Sequence, residues 1–222
     1  MKYRLPCSAV LLLAFGCARS SEPSAHTSPR FTAAMSHPYF PLTANKLSVY
    51  EGEHDGQRIY EEVRTRFESR TIQGVPCSTL QQDVYVDGEL TEITSEWYAQ
   101  DLEGNVWRFG EENLLRDGED FVKGPDSWVA GEAGFDAWIA FAAVIREGDR
   151  YIGRQPSGTE VFEVTSVGAN VTVAGGSFAN CVEILEDPEG ADQDIILYAP
   201  GVGRVLETSS HGKLELVSER KQ

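Results

Sequence analysis

The sequence predicts an all-β protein whose single antiparallel domain is a strongly curved sheet or a partly open barrel. Two observations favour this class. Apolar and polar residues alternate with a period of two along most of the chain, and Asp-Gly pairs recur between the alternating segments. A β-sandwich is the alternative architecture, because many strands joined by short turns can also pack as two sheets.

The first sixteen residues have the layout of a bacterial export signal. Lys2 and Arg4 form a positive start, residues 8–15 are apolar, and Gly16 precedes Cys17. The apolar run is well short of the roughly 20 residues that a membrane-spanning helix needs, and no later segment of the sequence approaches that length. We therefore expect residues 1–16 to be removed and the remaining chain to lie outside the cytoplasm.

Cys17 is the predicted lipid-attachment site. The run Ala14-Phe15-Gly16-Cys17 is similar to the lipobox of bacterial lipoproteins, in which the cysteine receives a diacylglycerol and becomes the new N-terminus. Ala14 stands where that pattern usually has leucine. The alternative is cleavage near Ala18-Arg19-Ser20, which would release a soluble protein. Lipidation predicts a membrane partner through the lipid and a place in the cell envelope, at the outer membrane on its periplasmic side or at the surface.

Residues 17–36 are predicted to be the lipidated cysteine and a flexible tether, since they are rich in Ser, Pro and Ala without apolar periodicity. Residues 37–222 then form the β domain, which is long enough for a substantial core. Removing Lys2 and Arg4 with the signal takes the formal net charge from −16 to −18. Such a charge disfavours nucleic acid as a partner and leaves anchoring to the lipid.

The longest predicted strand covers residues 57–71. From Ile59 onward its odd positions are apolar or small except Glu61, and its even positions are mostly charged. The clearest hairpin joins 84–86 to 90–98, and a second joins 203–208 to 213–217. Turn residues with positive φ are expected at Asp55-Gly56, Asp87-Gly88, Asp117-Gly118 and His211-Gly212. Further strands are predicted at 47–51, 106–109, 159–167, 171–174, 181–186 and 194–198, and the apolar run 137–144 is either a short helix or a buried segment.

Cys77 and Cys181 form an even pair once Cys7 leaves with the signal and Cys17 carries the lipid. An oxidising compartment permits a disulfide between them. That bridge would close a loop of about a hundred residues. The alternative is two buried thiols, because free cysteine behaves as a small hydrophobic residue.

Four aromatic residues flank the turn at 101–105 and are candidate ligand-facing side chains: Trp97, Tyr98, Trp107 and Phe109. They predict an aromatic-lined pocket for a hydrophobic or carbohydrate ligand in the mouth of the curved sheet. The alternative is core packing across a hairpin.

The turn itself carries a weak calcium pattern. Asp101, Glu103 and Asn105 offer alternating oxygen ligands, but the central glycine and the terminal bidentate glutamate of a calcium loop are missing. No other metal site and no cofactor is predicted.

Motifs of the common catalytic classes are absent from the sequence. It contains no Gly-x-Ser-x-Gly elbow, no His-Glu-x-x-His helix, no Cys-x-x-Cys pair, no phosphate loop and no dinucleotide glycine pattern. His54 and His211 both lie beside turn glycines, where exposure is expected and catalysis is not. No catalytic residue is therefore predicted.

Short blocks along the domain resemble a group of bacterial secreted proteins and lipoproteins that has no established function. These blocks are Tyr39-Phe40-Pro41-Leu42, Trp97-Tyr98-Ala99-Gln100-Asp101 and Tyr198-Ala199-Pro200-Gly201-Val202-Gly203, in this order. Val49 departs from the group, which has tryptophan before Tyr50-Glu51-Gly52. The resemblance implies an extracytoplasmic all-β domain and brings no catalytic or ligand-binding residues with it.

Three functions of different classes remain open. A non-catalytic envelope module that binds an unidentified protein or polymer predicts an exposed apolar patch on the sheet. A carrier of an apolar ligand predicts a concave cavity with aliphatic and aromatic walls. A hydrolase-type enzyme predicts a cleft in which carboxylates with shifted pKa values converge. The sequence favours them in that order.

Overall fold

The structure is a computed structural model that describes residues 29–32, 35–190 and 193–221, apart from the side chains of residues 67–69. Within these ranges the protein is all-β, with fifteen strands and no helix. No helix in this part of the chain is therefore long and apolar enough to cross a membrane. The strands are β1 (Phe31–Thr32), β2 (Lys46–His54), β3 (Gln57–Ile72), β4 (Val75–Val86), β5 (Glu89–Asp101), β6 (Val106–Asp117), β7 (Asp120–Lys123), β8 (Trp128–Val129), β9 (Trp138–Phe141), β10 (Arg150–Gln155), β11 (Gly158–Val173), β12 (Gly176–Glu186), β13 (Asp194–Ala199), β14 (Gly203–Thr208) and β15 (Gly212–Lys221).

All the strands belong to one antiparallel sheet in the order β10-β11-β12-β13-β14-β15-β2-β3-β4-β5-β6-β7. The last strand, β15, pairs with β2 and so joins the two halves of the chain, while β1 pairs with β5, and β8 and β9 pair with β6. Long twisted strands curl a sheet of this size around its own face. The curved, unclosed sheet predicted from the sequence is confirmed, and the sandwich alternative is not adopted.

The curl brings opposite ends of the strand order together at β9 and β10. Gly153 on β10 lies so close to the ring of Trp138 on β9 that an added Cβ would come within 2.3 Å of it. The same ring stacks on Phe162 of β11, with centroids 5.8 Å apart. Side-chain packing therefore holds these ends against each other and encloses an interior space.

Tight turns follow the predicted Asp-Gly pairs. Asp55 and Gly56 have φ values of 50° and 78°, and Asp87 and Gly88 have 50° and 90°, which is the pattern of a two-residue hairpin turn. Gly212 has a different role, because an added Cβ there would lie 1.8 Å from the backbone oxygen of Glu53. It permits β15 to approach β2 closely instead of supplying a positive φ.

Three sequence predictions change in the structure. The predicted tether ends earlier than residue 36, because Phe31 and Thr32 form β1 and pair with Asp101 and Gln100. Segments 159–167 and 171–174 belong to one strand, β11. Bulges between residues 164 and 171 shift its register against β12 and accommodate residues of β11 that have no partner there. The apolar run 137–144 contains β9 and no helix.

Candidate ligand-binding cavity

A cavity of about 300 Å³ lies inside the curve of the sheet. Strands from both halves of the chain contribute to its wall, together with the segment before β2 and the turn before β14. The side chains and backbone that line it are Phe40, Pro41, Leu42, Lys46, Ser48, Tyr50, Val63, Thr65, Leu80, Gln82, Glu96, Tyr98, Arg108, Trp138, Ala140, Phe141, Glu160, Phe162, Ile184, Glu186, Ile196, Tyr198, Val202, Gly203, Arg204 and Glu207.

Aromatic rings form a continuous part of this wall. Phe40 lies 4.7 Å from the ring of Tyr98 and 5.0 Å from that of Phe141, and Phe141 lies 4.9 Å from Tyr198, all measured between ring centroids. These tilted and edge-on arrangements are favourable for aromatic pairs. They form one hydrophobic surface from four separate parts of the chain.

The segment before β2 is fixed against the turn before β14. The Gly201 amide donates a hydrogen bond of 2.7 Å to the Pro38 carbonyl, and the Tyr39 hydroxyl donates one of 3.1 Å to the Asn180 carbonyl. Two of the sequence blocks behind the family resemblance, residues 39–42 and 198–203, therefore meet and together supply cavity wall.

Arg108 is a buried guanidinium on the cavity wall. Its Nη2 donates hydrogen bonds of 2.6 Å to Glu96 and to Glu111, and its Nη1 donates one of 3.2 Å to Glu160. Burial opposes its charge, but the surrounding carboxylates outweigh that effect and raise the Arg108 pKa. For Glu111 burial prevails over the attraction of Arg108 and raises its pKa to about 7.

Arg204 forms a second buried cluster. It donates hydrogen bonds to Glu61 and, at 2.7 Å, to Glu207, while its guanidinium carbon lies 4.3 Å from the centroid of the Tyr50 ring. The Tyr50 hydroxyl donates a 2.9 Å hydrogen bond to the Arg204 carbonyl. Glu61 is only 1% exposed, and burial raises its pKa despite the adjacent arginine. The inward glutamate that broke the alternation of strand 57–71 is thus a partner of Arg204.

Glu186 differs from the other cavity carboxylates. In the described part of the chain its carboxyl has no hydrogen bond or ion pair to another side chain. Burial raises its pKa to about 8, and the negative charges of Glu160, Asp194 and Glu207 add to the shift. A carboxyl group in this state can donate a hydrogen bond to a ligand or, once ionised, accept one from a cation.

The predicted aromatic set is divided between two faces of the sheet. Tyr98 lines the cavity, but Trp97, Trp107 and Phe109 do not. These three pack in or against a core cluster on the opposite face with Trp128 and other residues of the segment after β7. These three do not face the cavity, because the side chains of Phe31 and Trp128 pack against the face of the sheet that they occupy.

The hydrogen bonds of the turn argue against the weak calcium pattern. Asp101 accepts four hydrogen bonds, from the Glu103 amide at 3.0 Å, the Asn105 amide and side chain at 2.8 Å each, and the Trp107 indole at 2.9 Å. The side-chain oxygen of Asn105 in turn accepts the Ala143 amide. Donors therefore occupy the side-chain oxygens of Asp101 and Asn105, two of the three residues that a calcium ion would need.

The two candidate disulfide cysteines are free and buried. Cys77 on β4 packs with Trp97 and Phe109, whereas Cys181 on β12 packs with Val173 and Leu197 in another core cluster. Five strands separate β4 from β12 in the sheet. The predicted bridge is therefore not formed, and the alternative of two buried thiols describes the structure. Cys17, the predicted lipid site, lies outside the described residues.

Sequence reasoning missed the buried charges of the cavity. Arg108 stands between Trp107 and Phe109, so alternation predicts that it points away from the core. Side chains such as Phe31 and Trp128 pack on the outer face here, and the face that Arg108 shares with Val106 is the cavity side. The one usable signal was Glu61, an acidic residue at an inward position.

Comparisons with known proteins give distant structural likenesses alone. No protein-family model matches the chain, and no curated protein is significantly similar to it. A Bacteroides fragilis protein named as an exported protein with a YmcC-like fold aligns over 83% of this chain and 100% of its own, at 12% identity and a TM-score of 0.47. A Parabacteroides distasonis protein named as a lipoprotein aligns over 83% and 99%, at 11% identity and a TM-score of 0.35. Likenesses this distant carry no functional argument, and the family resemblance in the sequence stays a prediction.

Proposed function

We propose that this chain is a lipid-anchored protein of the bacterial cell envelope whose β domain binds a small amphipathic molecule without transforming it. The ligand is uncharged or positively charged. The observation that carries the proposal is the interior cavity, which combines aromatic walls with the unpartnered Glu186 carboxyl.

The size of the cavity supports a small-molecule ligand. Its volume of about 300 Å³ lies at the lower end of the roughly 300–1,000 Å³ that is usual for ligand pockets. Protein interiors normally pack closely enough to leave few spaces larger than a water molecule. A space of this size, bounded by Phe40, Phe141 and Tyr198, is therefore unusual for a purely structural core.

The charges on the wall favour a neutral or cationic ligand. The lining has four glutamates, Glu96, Glu160, Glu186 and Glu207, and three basic residues, Lys46, Arg108 and Arg204. Each basic residue already binds a carboxylate, Lys46 through Glu219 and the two arginines through their own glutamates. An anionic ligand would have to displace one of these carboxylates, whereas a cation could bind Glu186 and the aromatic faces.

The place of the protein in the cell rests on its first seventeen residues. The positive start, the short apolar run and the Gly16-Cys17 junction support export followed by lipidation of Cys17. A lipid at the N-terminus would hold an acidic domain near a membrane whose anionic headgroups would otherwise repel it.

A surface partner has less support than an interior ligand. Among the described residues, the large hydrophobic side chains that are exposed lie on six different elements or turns: Leu102, Val122, Val144, Ile152, Val167 and Ile195. Exposed hydrophobic residues that occur singly are normal on soluble proteins. If no small molecule is extracted from the protein, binding of an envelope protein or polymer becomes the better hypothesis.

Extraction of the protein purified from its own envelope tests the proposal. Leu80→Trp places a large ring in the cavity, and Ile152→Trp adds the same ring at a position that is 62% exposed. Solvent extracts of the wild type and both variants are compared by mass spectrometry. We expect at least one small molecule to be enriched in the wild type and in Ile152→Trp relative to Leu80→Trp. Identical extracts from all three proteins would contradict the proposal.

An enzyme is the second candidate, because the cavity gathers carboxylates with raised pKa values. With a pKa of about 8, the Glu186 carboxyl is mostly protonated at neutral pH, which is the state that a general acid needs. The same extraction separates the candidates. A carrier returns the bound molecule unchanged after incubation with the protein, whereas an enzyme converts it and Glu186→Gln abolishes the conversion.

A further inference from the structure

A second constellation lies on the surface, where two neighbouring hairpin turns meet. His54 is the last residue of β2, Asp55 begins the turn to β3, and the β14–β15 turn carries His211. Strands β2 and β15 pair directly, with Gly212 opposite His54, and the Asp55 amide donates a 2.8 Å hydrogen bond to the His211 carbonyl. The backbone therefore holds the three side chains side by side.

The side chains converge as well as their backbones. His211 Nδ1 lies 2.9 Å from Asp55 Oδ1, and His54 Nε2 lies 3.8 Å from Asp55 Oδ2. The two imidazole rings are stacked, with centroids 5.4 Å apart and planes 26° apart. One ligand atom from each of the three residues lies within 4.8 Å of the other two.

This spacing suits a transition metal ion. With metal–ligand bonds of about 2.0–2.1 Å, two ligands of a tetrahedral ion lie about 3.3 Å apart. The two distances between a histidine nitrogen and an Asp55 oxygen, 2.9 Å and 3.8 Å, lie on either side of that value, so small side-chain rotations would bring the ligands to it. Two imidazoles and one carboxylate suit zinc, copper and nickel, and not calcium or magnesium.

We propose that His54, Asp55 and His211 form a surface site for a divalent transition metal ion, with Zn²⁺ as the reference ion. The site has two imidazole ligands and one carboxylate ligand, and water or a partner's side chain completes the coordination. A bound ion would cross-link the β2–β3 and β14–β15 turns. This site is separate from the cavity, so a negative result for metal binding would not affect the proposal of a cavity ligand.

Zinc titration of the purified, tag-free chain tests the site. We expect one Zn²⁺ to bind per chain in isothermal titration calorimetry, and we expect it to raise the unfolding midpoint. His54→Ala and His211→Ala should each weaken binding more than about tenfold, and Asp55→Asn should weaken it about tenfold. A roughly hundredfold excess of Ca²⁺ should leave zinc binding unchanged.

Matched controls separate this site from other histidines and turns. Asp87→Asn changes the aspartate of another Asp-Gly turn, and His26→Ala removes a histidine that lies outside the described residues. Both controls should bind Zn²⁺ like the wild type. Because the three proposed ligands are exposed, all variants should keep the wild-type circular dichroism spectrum. A wild type that does not bind Zn²⁺, or a His54→Ala/His211→Ala double variant that binds it normally, would overturn the proposal.

Discussion

Arg204 on β14 donates a hydrogen bond to Glu61 on β3, although β15 and β2 lie between these two strands. The two residues are 143 positions apart in the chain. They meet because the sheet curves strongly enough for residues of non-adjacent strands to face each other across the interior. The pair therefore reports directly on the curvature that creates the cavity.

Removing one member of this pair should destabilise the fold. Glu61→Ala removes a fully buried carboxylate and leaves the Arg204 guanidinium, which is 18% exposed, with one partner fewer, so we expect the free energy of unfolding in urea to fall by about 3 kcal/mol. Lys213→Ala, which breaks the exposed pair with Glu215, should change it by less than about 1 kcal/mol. Glu61→Met/Arg204→Met should be more stable than Glu61→Ala. Equal effects of Glu61→Ala and Lys213→Ala would argue against a buried pair.

The pH dependence of stability should reveal Glu186. Its pKa rises from 4.5 to about 8 on folding, so between these values the folded state binds more protons than the unfolded state. The stability that this group contributes is complete below about pH 4.5 and is lost as the pH rises through about 8. Glu186→Gln cannot ionise and should therefore become more stable than the wild type towards about pH 9, by more than about 1 kcal/mol.

Urea denaturation at about pH 5 and about pH 9 measures this difference. Glu189→Gln is the control, because that carboxylate is 81% exposed. Its free energy of unfolding should differ from that of the wild type by nearly the same amount at both pH values. A Glu186→Gln variant whose stability relative to the wild type is independent of pH would contradict burial of the Glu186 carboxyl.

The Asp101 turn should depend on its hydrogen bonds and not on calcium. Asp101→Ala leaves four donors without their acceptor, and we expect the free energy of unfolding to fall by more than about 2 kcal/mol. Asp117→Ala, at an exposed turn aspartate, should have a much smaller effect. Added Ca²⁺ should not change the melting temperature of the wild type, and a rise that Asp101→Ala abolishes would restore the calcium site.

Both domain cysteines should titrate as protected thiols. Burial raises the pKa of Cys77 to about 12 and also raises that of Cys181, so neither forms the reactive thiolate readily. We expect no reaction with Ellman's reagent in the native state and, without reductant, two thiols per mature chain in urea. Thiols that appear after reduction and not before it would reinstate the disulfide. A third thiol in urea would show that Cys17 is not lipidated.

Local patterns predicted the strands better than they predicted their continuity. The alternation of 57–71 corresponds closely to β3, and the Asp-Gly turns at 55–56 and 87–88 correspond to the β2–β3 and β4–β5 hairpins, because pleat and turn chemistry act over a few residues. Strand β11 was divided in two at Gly168, whose φ is +96°. Bulges there keep the pairing with β12 intact, and a pattern of period two cannot represent an inserted residue.

The cavity could not be predicted in the same way. Alternation separates the two faces of a strand but does not say which face is covered by other residues. In β6 both faces are covered. Trp107 and Phe109 pack with Phe31 and the cluster around Trp128, and Arg108 lines the cavity. The ion pairs of Arg108 with Glu160, and of Arg204 with Glu61, join distant parts of the chain. Only the three-dimensional curvature brings such residues together.

Probe binding tests the central claim, a ligand-binding cavity inside the curved sheet, most directly. The neutral fluorophore N-phenyl-1-naphthylamine is titrated into the wild type, Leu80→Trp and Ile152→Trp, with a long-chain fatty acid as the anionic comparison. Circular dichroism and urea unfolding verify that each variant is folded, and Ile196→Phe provides a second cavity-filling change. We predict saturable binding of the neutral probe by the wild type and Ile152→Trp, at least about tenfold weaker binding by Leu80→Trp, and weaker binding of the fatty acid. Equal binding by the wild type and a folded Leu80→Trp variant, or no binding by the wild type, would contradict the claim.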